Sequence, residues 1–245
     1  MKILAIGNSF SQDAFSHLHQ AAAAQNIDLE AVTLYIGGCS LERHWLNVET
    51  NAADYAYLRN GTDTGRMVSI QETLDEGGWD VISLQQASHD SGWMDSYEPF
   101  MEQLVDYLRR EAPESKLMLH ETWAYEHEAP HKSFGRYHRS QQEMHERLHN
   151  CYFTMAEKYQ LPIIPSGEVI CALRRHAEFD VLRGGHSLCR DGFHMSLGYG
   201  RYALACTWLH ALCGVPVSGN MYVPQTEEEV EERLLQIIRD TVDGM

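Results

Sequence analysis

Short apolar segments recur along the chain and are separated by stretches with helical periodicity. Each segment is bounded by glycine, proline or polar residues, which is typical of strands buried in a parallel sheet. The segments are residues 4–6, 29–36, 80–84, 116–120 and 161–164. Because helical stretches separate them, we expect parallel strands joined by right-handed crossovers. The pattern predicts an α/β fold: a three-layer, doubly wound, flavodoxin-like sheet of about five parallel strands.

The helical stretches are amphipathic, and several begin with a recognised start signal. They cover residues 11–25, 69–76, 99–111, 140–159, 166–176, 197–213 and 227–242. Thr226, with glutamates after it, resembles a capping box at the start of the last helix. Residues 41–64 and 87–97 are polar and carry aromatic side chains, so we expect loops that pass over a site. Residues 127–139 are hydrophilic and are expected to lie outside the core.

Length and charge limit the organisation of the protein and its partners. The chain has 245 residues, with no internal repeat and no low-complexity linker, which favours one domain over residues 1–245. Its formal net charge of −16 argues against nucleic acid or an anionic membrane surface as partner. A neutral small-molecule substrate fits this charge better. The sequence does not indicate an oligomeric state.

Targeting signals and cysteine spacing suggest the compartment. The chain begins directly with a predicted strand, without the apolar run of a signal peptide, and later segments are too short to span a membrane. Its six cysteines form no Cys-x-x-Cys pair, so we expect free thiols rather than a disulfide framework. These features predict a cytoplasmic protein.

Ser9 lies on the turn between the first predicted strand and the first helix. In open α/β sheets, ligands bind at the carboxyl ends of strands, and a helix N-terminus offers unpaired N–H groups that stabilise an anion. Ser9 is therefore a candidate nucleophile for acyl transfer. The alternative is that Ser9 or Ser11 caps the helix, since serine is a preferred N-cap residue.

Three distant segments complete a candidate site. Asp191 precedes His194 by three residues, a spacing that lets the carboxylate accept a hydrogen bond from the imidazole and orient it as a base. Gly38 follows the second strand, where a glycine N–H can approach an oxyanion closely. Gln85 and Gln86 follow the third strand, and their carboxamides are neutral hydrogen-bond donors.

These segments resemble the blocks of the SGNH hydrolase superfamily, related to the GDSL-type esterases and lipases. Gly7-Asn8-Ser9 matches the first block, Gly38 the second, and Asp191 to His194 the last, in the order of the family and across almost the whole chain. Where the family has Gly-x-Asn-Asp, this sequence has Leu84-Gln85-Gln86-Ala87. The resemblance implies Ser9, His194 and Asp191 as catalytic residues. It also implies an oxyanion hole of Ser9, Gly38 and Gln86, with Gln85 as the alternative to Gln86.

The resemblance implies a serine esterase that hydrolyses small acyl esters, and O-acetyl groups on carbohydrates are one substrate class of the family. Aromatic residues at the predicted site agree with sugar binding, because aromatic faces suit sugar rings. We expect substrate contacts from Asn8, Gln85, Trp93, His120 and Trp123. Two alternatives stay open: a thioesterase or lipid esterase, and a non-catalytic carbohydrate-binding module on a hydrolase fold.

No cofactor is expected, since the glycine pairs of the chain belong to no nucleotide-binding fingerprint. The pairs His127/His131 and His145/His149 have the spacing of a shared helix face. A zinc site needs three or four converging ligands, however, and spacing alone supplies two. The sequence therefore predicts no metal.

Overall fold

A computed structural model describes residues 1–227 and 229–245 and contains a seven-stranded sheet. The strands are β1 (Lys2–Gly7), β2 (Glu30–Tyr35), β3 (Tyr55–Arg59), β4 (Thr62–Val68), β5 (Val81–Leu84), β6 (Lys116–His120) and β7 (Ile163–Ile164). They lie in the order β4-β3-β2-β1-β5-β6-β7. The strands β2, β1, β5, β6 and β7 are parallel, while β3 and β4 are antiparallel. The predicted sheet of about five parallel strands is confirmed.

Burial on both faces explains why the parallel strands are apolar throughout. Every residue of β5 is buried, as is every residue of β1 after Lys2. Strands covered by helices on both faces form continuous apolar runs rather than alternating ones. The strands end nearly in register, with Gly7 beside Tyr35 and Ile6 beside Leu84. Residues that follow β1, β2 and β5 are thus brought to one edge of the sheet.

Helices cover both faces of the sheet. They are α1 (Ser9–Phe15), α2 (Leu18–Ala23), α3 (Leu41–Thr50), α4 (Ile70–Asp75), α5 (Phe100–Glu111), α6 (Gln141–Tyr159), α7 (Ser166–Leu173), α8 (Tyr199–Cys213) and α9 (Glu232–Asp243). The helices α1, α2, α7 and α9 pack around α8, and α3 packs against α4 and α5. From β1 the chain runs to β2 on one side and later to β5 on the other. This reversal makes the β1–β5 junction the topological switch point, where ligands bind in such folds.

Residues 41–64 differ from the predicted polar excursion. They form α3, then β3 and the beginning of β4, a hairpin that extends the sheet beyond β2. Asn60 and Gly61 both have positive φ, as a type I′ turn between two strands requires. The sequence pattern did not indicate this hairpin, because β4 is a polar edge strand that is exposed at every residue except Val68.

Residues 127–139 also depart from the prediction, which left them outside the core. Ala129, Phe134 and Tyr137 are fully buried. Lys132–Tyr137 is a 3₁₀ helix, in which residues three apart eclipse each other, so Phe134 and Tyr137 share one face. The hydrophilic residues between them concealed this apolar face.

The last helix begins later than predicted, at Glu232 instead of Glu227. Its apolar stripe starts only at Leu234, and the Tyr199 hydroxyl accepts a hydrogen bond from the N–H of Glu231 just before the helix. The predicted capping box includes Glu228, which lies outside the described residues.

All six cysteines are free, as expected: four are buried and two half-buried. Among the helices that the structure describes, none combines the length and the apolarity that crossing a membrane requires.

Candidate active site

Ser9 is the first residue of α1, and its hydroxyl is not used to cap that helix. The cap is Asn8, whose Oδ1 accepts a hydrogen bond of 3.0 Å from the N–H of Phe10. Asparagine is a preferred N-cap residue, and here it satisfies an N–H group of the first turn. The Ser9 hydroxyl is therefore available for chemistry, which removes the alternative of Ser9 as a helix cap.

A chain of hydrogen bonds joins Ser9 to the far end of the polypeptide. Ser9 Oγ lies 2.9 Å from His194 Nε2, and His194 Nδ1 lies 2.7 Å from Asp191 Oδ2. The other carboxylate oxygen, Oδ1, accepts the backbone N–H groups of His194 at 2.8 Å and Phe193 at 3.2 Å. Burial raises the pKa of Asp191, but the hydrogen bonds from His194 and Phe193 outweigh burial and lower it overall. Asp191 is thus held as a carboxylate that fixes the imidazole.

Helix α1 also anchors the segment that carries His194. Asp13 lies one turn after Ser9, is fully buried, and accepts the N–H of Met195 at 2.8 Å. Its carboxylate also accepts hydrogen bonds from the guanidinium groups of Arg190 at 3.0 Å and Arg201 at 2.8 Å. Arg190 is therefore engaged with a buried carboxylate. No sequence pattern indicated this role, because an aspartate on a helix usually faces solvent.

An aromatic contact fixes the same segment from the other side. The rings of Phe10 and Trp123 stack at 4.0 Å with an interplanar angle of 7°. Trp123 Nε1 donates a hydrogen bond of 2.8 Å to the carbonyl of Phe193. Phe10 follows Ser9 and Phe193 precedes His194, so this contact links the two partners of the 2.9 Å hydrogen bond.

Two backbone N–H groups are candidates to bind an oxyanion. Ser9 contributes the first as the opening residue of α1. Gly38 contributes the second: it is exposed, has a φ of +63°, and follows β2. Asn8 Nδ2 donates a 3.1 Å hydrogen bond to the carbonyl of Cys39, which ties the Gly38 loop to the beginning of α1.

The family model for DUF4886, a domain of unknown function, matches residues 2–242. The chain belongs to the DUF4886 family. A DUF4886 family protein from Bacteroides uniformis is 38% identical and superposes with a TM-score of 0.89, with 100% of this chain and 93% of that chain covered. No curated protein matches the sequence.

More distant structures share the fold of this DUF4886 protein. A protein from Slackia heliotrinireducens assigned to the SGNH hydrolases is 18% identical, with a TM-score of 0.59 over 86% of this chain and 98% of that one. An acetylxylan esterase from Geobacillus stearothermophilus is 13% identical, with a TM-score of 0.57 over 86% and 94%. The predicted resemblance to the SGNH hydrolases is confirmed in the fold.

Gln86 does not fit the oxyanion role that the sequence suggested. Its Nε2 donates to the carbonyl of Ser96 at 2.8 Å and to the Ser96 hydroxyl at 3.1 Å. Its Oε1 accepts the N–H groups of Leu41 at 3.0 Å and Ala87 at 2.8 Å. The side chain is buried, and its hydrogen-bonding capacity is used by these contacts. In this DUF4886 protein Gln86 joins the end of β5 to the start of α3.

Gln85, the alternative oxyanion donor, belongs to a buried network beneath Ser9. Its Nε2 donates to Asn8 Oδ1 at 2.8 Å, and its Oε1 accepts the Ser11 hydroxyl at 2.5 Å. His120 Nδ1 also contacts Gln85 Oε1 at 2.8 Å, while His120 Nε2 contacts Ser166 Oγ at 3.0 Å. Burial lowers the pKa of His120 to about 3, so this ring is neutral at physiological pH.

Four of the five predicted substrate-binding residues are buried and support the site instead. Asn8, Gln85, His120 and Trp123 are all at most 2% exposed, which leaves no surface for a substrate. Trp93 is partly exposed, but the guanidinium groups of Arg136 and Arg147 lie 4.5 Å and 4.8 Å from its ring centroid. The expectation of direct substrate contact is corrected for the four buried residues, whereas for Trp93 it stays a prediction.

Residues that the sequence did not assign to the active site lie near His194. The ring of Phe193 is 4.2 Å from that of His194, and His131 is 5.1 Å from Phe193. His89 lies 6.1 Å from His131. Burial lowers the pKa of His131, and the neighbouring His89 and His194 lower it further. Because residues 127–139 were expected outside the core, no pattern indicated that His131 reaches the site.

Proposed function

We propose that this DUF4886 protein is a serine ester hydrolase that cleaves small acyl esters. The observation that carries the proposal is the continuous chain of contacts from Ser9 Oγ to His194 at 2.9 Å and from His194 to Asp191 at 2.7 Å. A nucleophile, a base and an orienting carboxylate in this order define acyl-transfer sites on unrelated folds.

The reaction proceeds in two steps. His194 Nε2 takes the hydroxyl proton as Ser9 Oγ forms a bond with the acyl carbon, and the carbonyl oxygen becomes an oxyanion. The tetrahedral intermediate expels the alcohol, which leaves with the proton from His194, and an acyl-Ser9 ester remains. Water then attacks this ester, with His194 again as base, and releases the acid and the free serine. Asp191 keeps the ring oriented and balances its positive charge throughout.

The oxyanion is bound by the N–H group of Ser9 at the beginning of α1 and that of Gly38 in the loop after β2. Preorganised backbone donors stabilise this charge without reorganisation, and each contributes about 3 kcal/mol in related sites. Gln86 takes no part, since its amide is held by Ser96. The hole therefore consists of the two backbone donors, without the third, side-chain donor of the family pattern.

The substrate class that we propose is an O-acetyl or other short acyl group on a carbohydrate. The Asp191 side chain is 40% exposed and that of His194 is 22% exposed, so the reacting atoms lie near the surface, where a small ester on a bulky carrier can reach them. A fold neighbour is described as an acetylxylan esterase, which agrees with this class. The net charge of −16 favours a neutral carrier.

A non-catalytic carbohydrate-binding module is the second candidate. It is favoured by the contacts that remove Gln86 from the oxyanion hole, because such a hole stabilises the transition state less. Hydrolysis of p-nitrophenyl acetate separates the two functions. We expect turnover by the wild type and a loss of about 10³-fold or more in kcat for Ser9→Ala.

The matched control is Ser16→Ala, which removes a hydroxyl that follows α1 and donates to the carbonyl of Gln12 at 2.8 Å. This variant should keep its rate, which separates loss of the nucleophile from disturbance of the helix. Well-folded wild-type protein without turnover on any short acyl ester would favour the binding module. Equal turnover by wild type and Ser9→Ala would refute the esterase mechanism.

A further inference from the structure

A second cluster of chemically active side chains lies between β6, α6 and α7. Glu121 follows β6, His145 and His149 lie one turn apart on α6, and Glu168 lies in the first turn of α7. None of these residues belongs to the Ser9–His194–Asp191 chain. Two of the four are histidines that the sequence paired, and the fold adds the two carboxylates.

The donor atoms of the cluster converge. His149 Nδ1 lies 3.0 Å from Glu121 Oε1 and 3.0 Å from Glu168 Oε1. These three atoms all lie within 4.8 Å of one another. His145 Nε2 approaches the same oxygen of Glu168 at 3.4 Å. Ligands of a tetrahedral metal with bonds of about 2.0–2.1 Å are separated by roughly 3.3 Å, close to the two 3.0 Å distances from His149 Nδ1.

Hydrogen bonds within the cluster do not account for all of these contacts. His149 donates to Glu121, but its contact with Glu168 and the contact of His145 with Glu168 lack hydrogen-bond geometry. The two carboxylates thus face one imidazole nitrogen, and the single proton that His149 Nδ1 donates to Glu121 does not also satisfy Glu168.

The backbone around the cluster holds Glu121 in place. Its side chain is fully buried, and its Oε2 accepts the N–H of Glu168 at 3.0 Å, so Oε1 is the oxygen directed at the histidine. Gly167 makes this approach achievable: a Cβ there would collide with the carbonyl of Thr122 and lie 2.9 Å from Glu121 Cδ. Such fixed positioning of a ligand carboxylate is a feature of built metal sites.

The geometry points to a binding site for one divalent transition-metal ion, held by Glu121 Oε1, His149 Nδ1 and Glu168 Oε1. Two carboxylates neutralise the charge of the ion, and a mixed imidazole and carboxylate set suits Zn²⁺ and its first-row neighbours. The sequence prediction of no metal rested on the lack of converging ligands, and the fold supplies them.

The cluster is open to solution on one side. A cavity of about 580 Å³, lined by His145 and Gly167 among others, lies next to it. The side chains of His149 and Glu168 are 35% and 33% exposed, whereas that of Glu121 is fully buried. The cluster is therefore buried on the sheet side and accessible on the other, so exchange with solution requires no unfolding.

Titration of the tag-free protein with Zn²⁺ by calorimetry tests the proposal. We expect one ion per chain in the wild type and binding weakened by about 100-fold or more in His149→Ala and in Glu168→Gln. The matched control is His138→Ala, which removes a histidine 2.9 Å from the carboxylate of Glu143 but far more exposed, at 79%. This control should bind Zn²⁺ like the wild type.

Co²⁺ supplies a readout that does not depend on heat. A cluster-bound ion of low coordination number gives intense visible absorption bands in the wild type that are lost in Glu168→Gln. Folding of each variant is checked by circular dichroism. If His149→Ala is unfolded, the comparison is made between the wild type and Glu168→Gln. Ser9→Ala should bind Zn²⁺ like the wild type, which keeps this site separate from the esterase. The absence of stoichiometric Zn²⁺ binding, or equal affinity in wild type and a folded Glu168→Gln, would overturn the proposal.

Discussion

Asp13 accepts a hydrogen bond of 2.8 Å from the backbone N–H of Met195, the residue that follows His194. Because Asp13 lies on the helix that begins at Ser9, one rigid element determines the position of both proposed reaction partners. The 2.9 Å distance between Ser9 Oγ and His194 Nε2 thus depends on a carboxylate that touches neither atom. Catalytic geometry is sensitive to such support, since a displacement of about 1 Å can cost 10²-fold in rate.

We predict that Asp13→Asn lowers kcat by about 10- to 100-fold with little change in KM. The substitution weakens the hold of Arg190 and Arg201 on α1 and loosens the segment of His194. Steady-state kinetics on p-nitrophenyl acetate measures the effect. Asp240→Asn, on the exposed face of α9, should keep the wild-type rate. A folded Asp13→Asn variant with wild-type kcat would show that Asp13 does not position His194.

Gln86→Ala should cost stability and leave most of the activity. The substitution leaves the N–H groups of Leu41 and Ala87 and the carbonyl of Ser96 without their partner. Each buried polar group left unsatisfied lowers the free energy of unfolding by about 1–3 kcal/mol. Urea unfolding measures this loss. Since loss of an oxyanion donor costs about 10²–10³-fold in kcat, a decrease below tenfold would agree with a structural role. A 10²-fold decrease at unchanged stability would restore Gln86 to the oxyanion hole.

Gly38→Ala tests the backbone donor of the proposed oxyanion hole. A Cβ at φ +63° is strained by about 1 kcal/mol, and the loop relieves the strain by turning its N–H. Gly65→Ala is a matched control, because Gly65 also has a positive φ, +74°, and also has open space around the added Cβ. We expect similar stability losses from both variants and a kcat decrease of about tenfold or more only in Gly38→Ala. Equal kcat in the two variants would argue against an oxyanion contact at Gly38.

The parallel part of the fold was readable because burial on both faces leaves a continuous apolar run, as in Val81–Leu84. The hairpin was not readable because β4 lies at the edge of the sheet and carries polar side chains. Similarly, Phe134 and Tyr137 are core residues within a hydrophilic segment, and only the 3₁₀ geometry brings them together. Sequence pattern therefore predicts elements buried on two faces better than elements at an edge.

Ser9, Gly38, Asp191 and His194 could be proposed from order and residue type, since each follows a strand or carries a distinctive spacing. The partners that decide the other roles are distant in sequence. Gln86 is occupied by Ser96, and Trp123 is covered by Phe10. Neither contact leaves a periodic signal, so the sequence could not separate a residue that touches substrate from one that supports the site.

Buried neutral histidine should make stability depend on pH. Burial lowers the pKa of His120 to about 3, below its value in the unfolded chain. Below about pH 6.5 the unfolded state then binds more protons than the folded state, so stability falls with decreasing pH, by about 1.4 kcal/mol per pH unit. We expect His120→Gln to reduce this slope between about pH 4 and 6 in urea unfolding, whereas His127→Gln, at an exposed position, keeps it. An unchanged slope in His120→Gln would contradict the burial of a neutral ring.

Covalent capture of the nucleophile tests the central claim most directly. The protein is incubated with a fluorophosphonate, and the modified residue is identified by mass spectrometry of its peptides. We predict one label per chain on Ser9, and labelling slower by at least about 10³-fold in a folded His194→Ala variant, because the hydroxyl then lacks its base. Labelling at another residue, or an equal labelling rate with and without His194, would contradict the account.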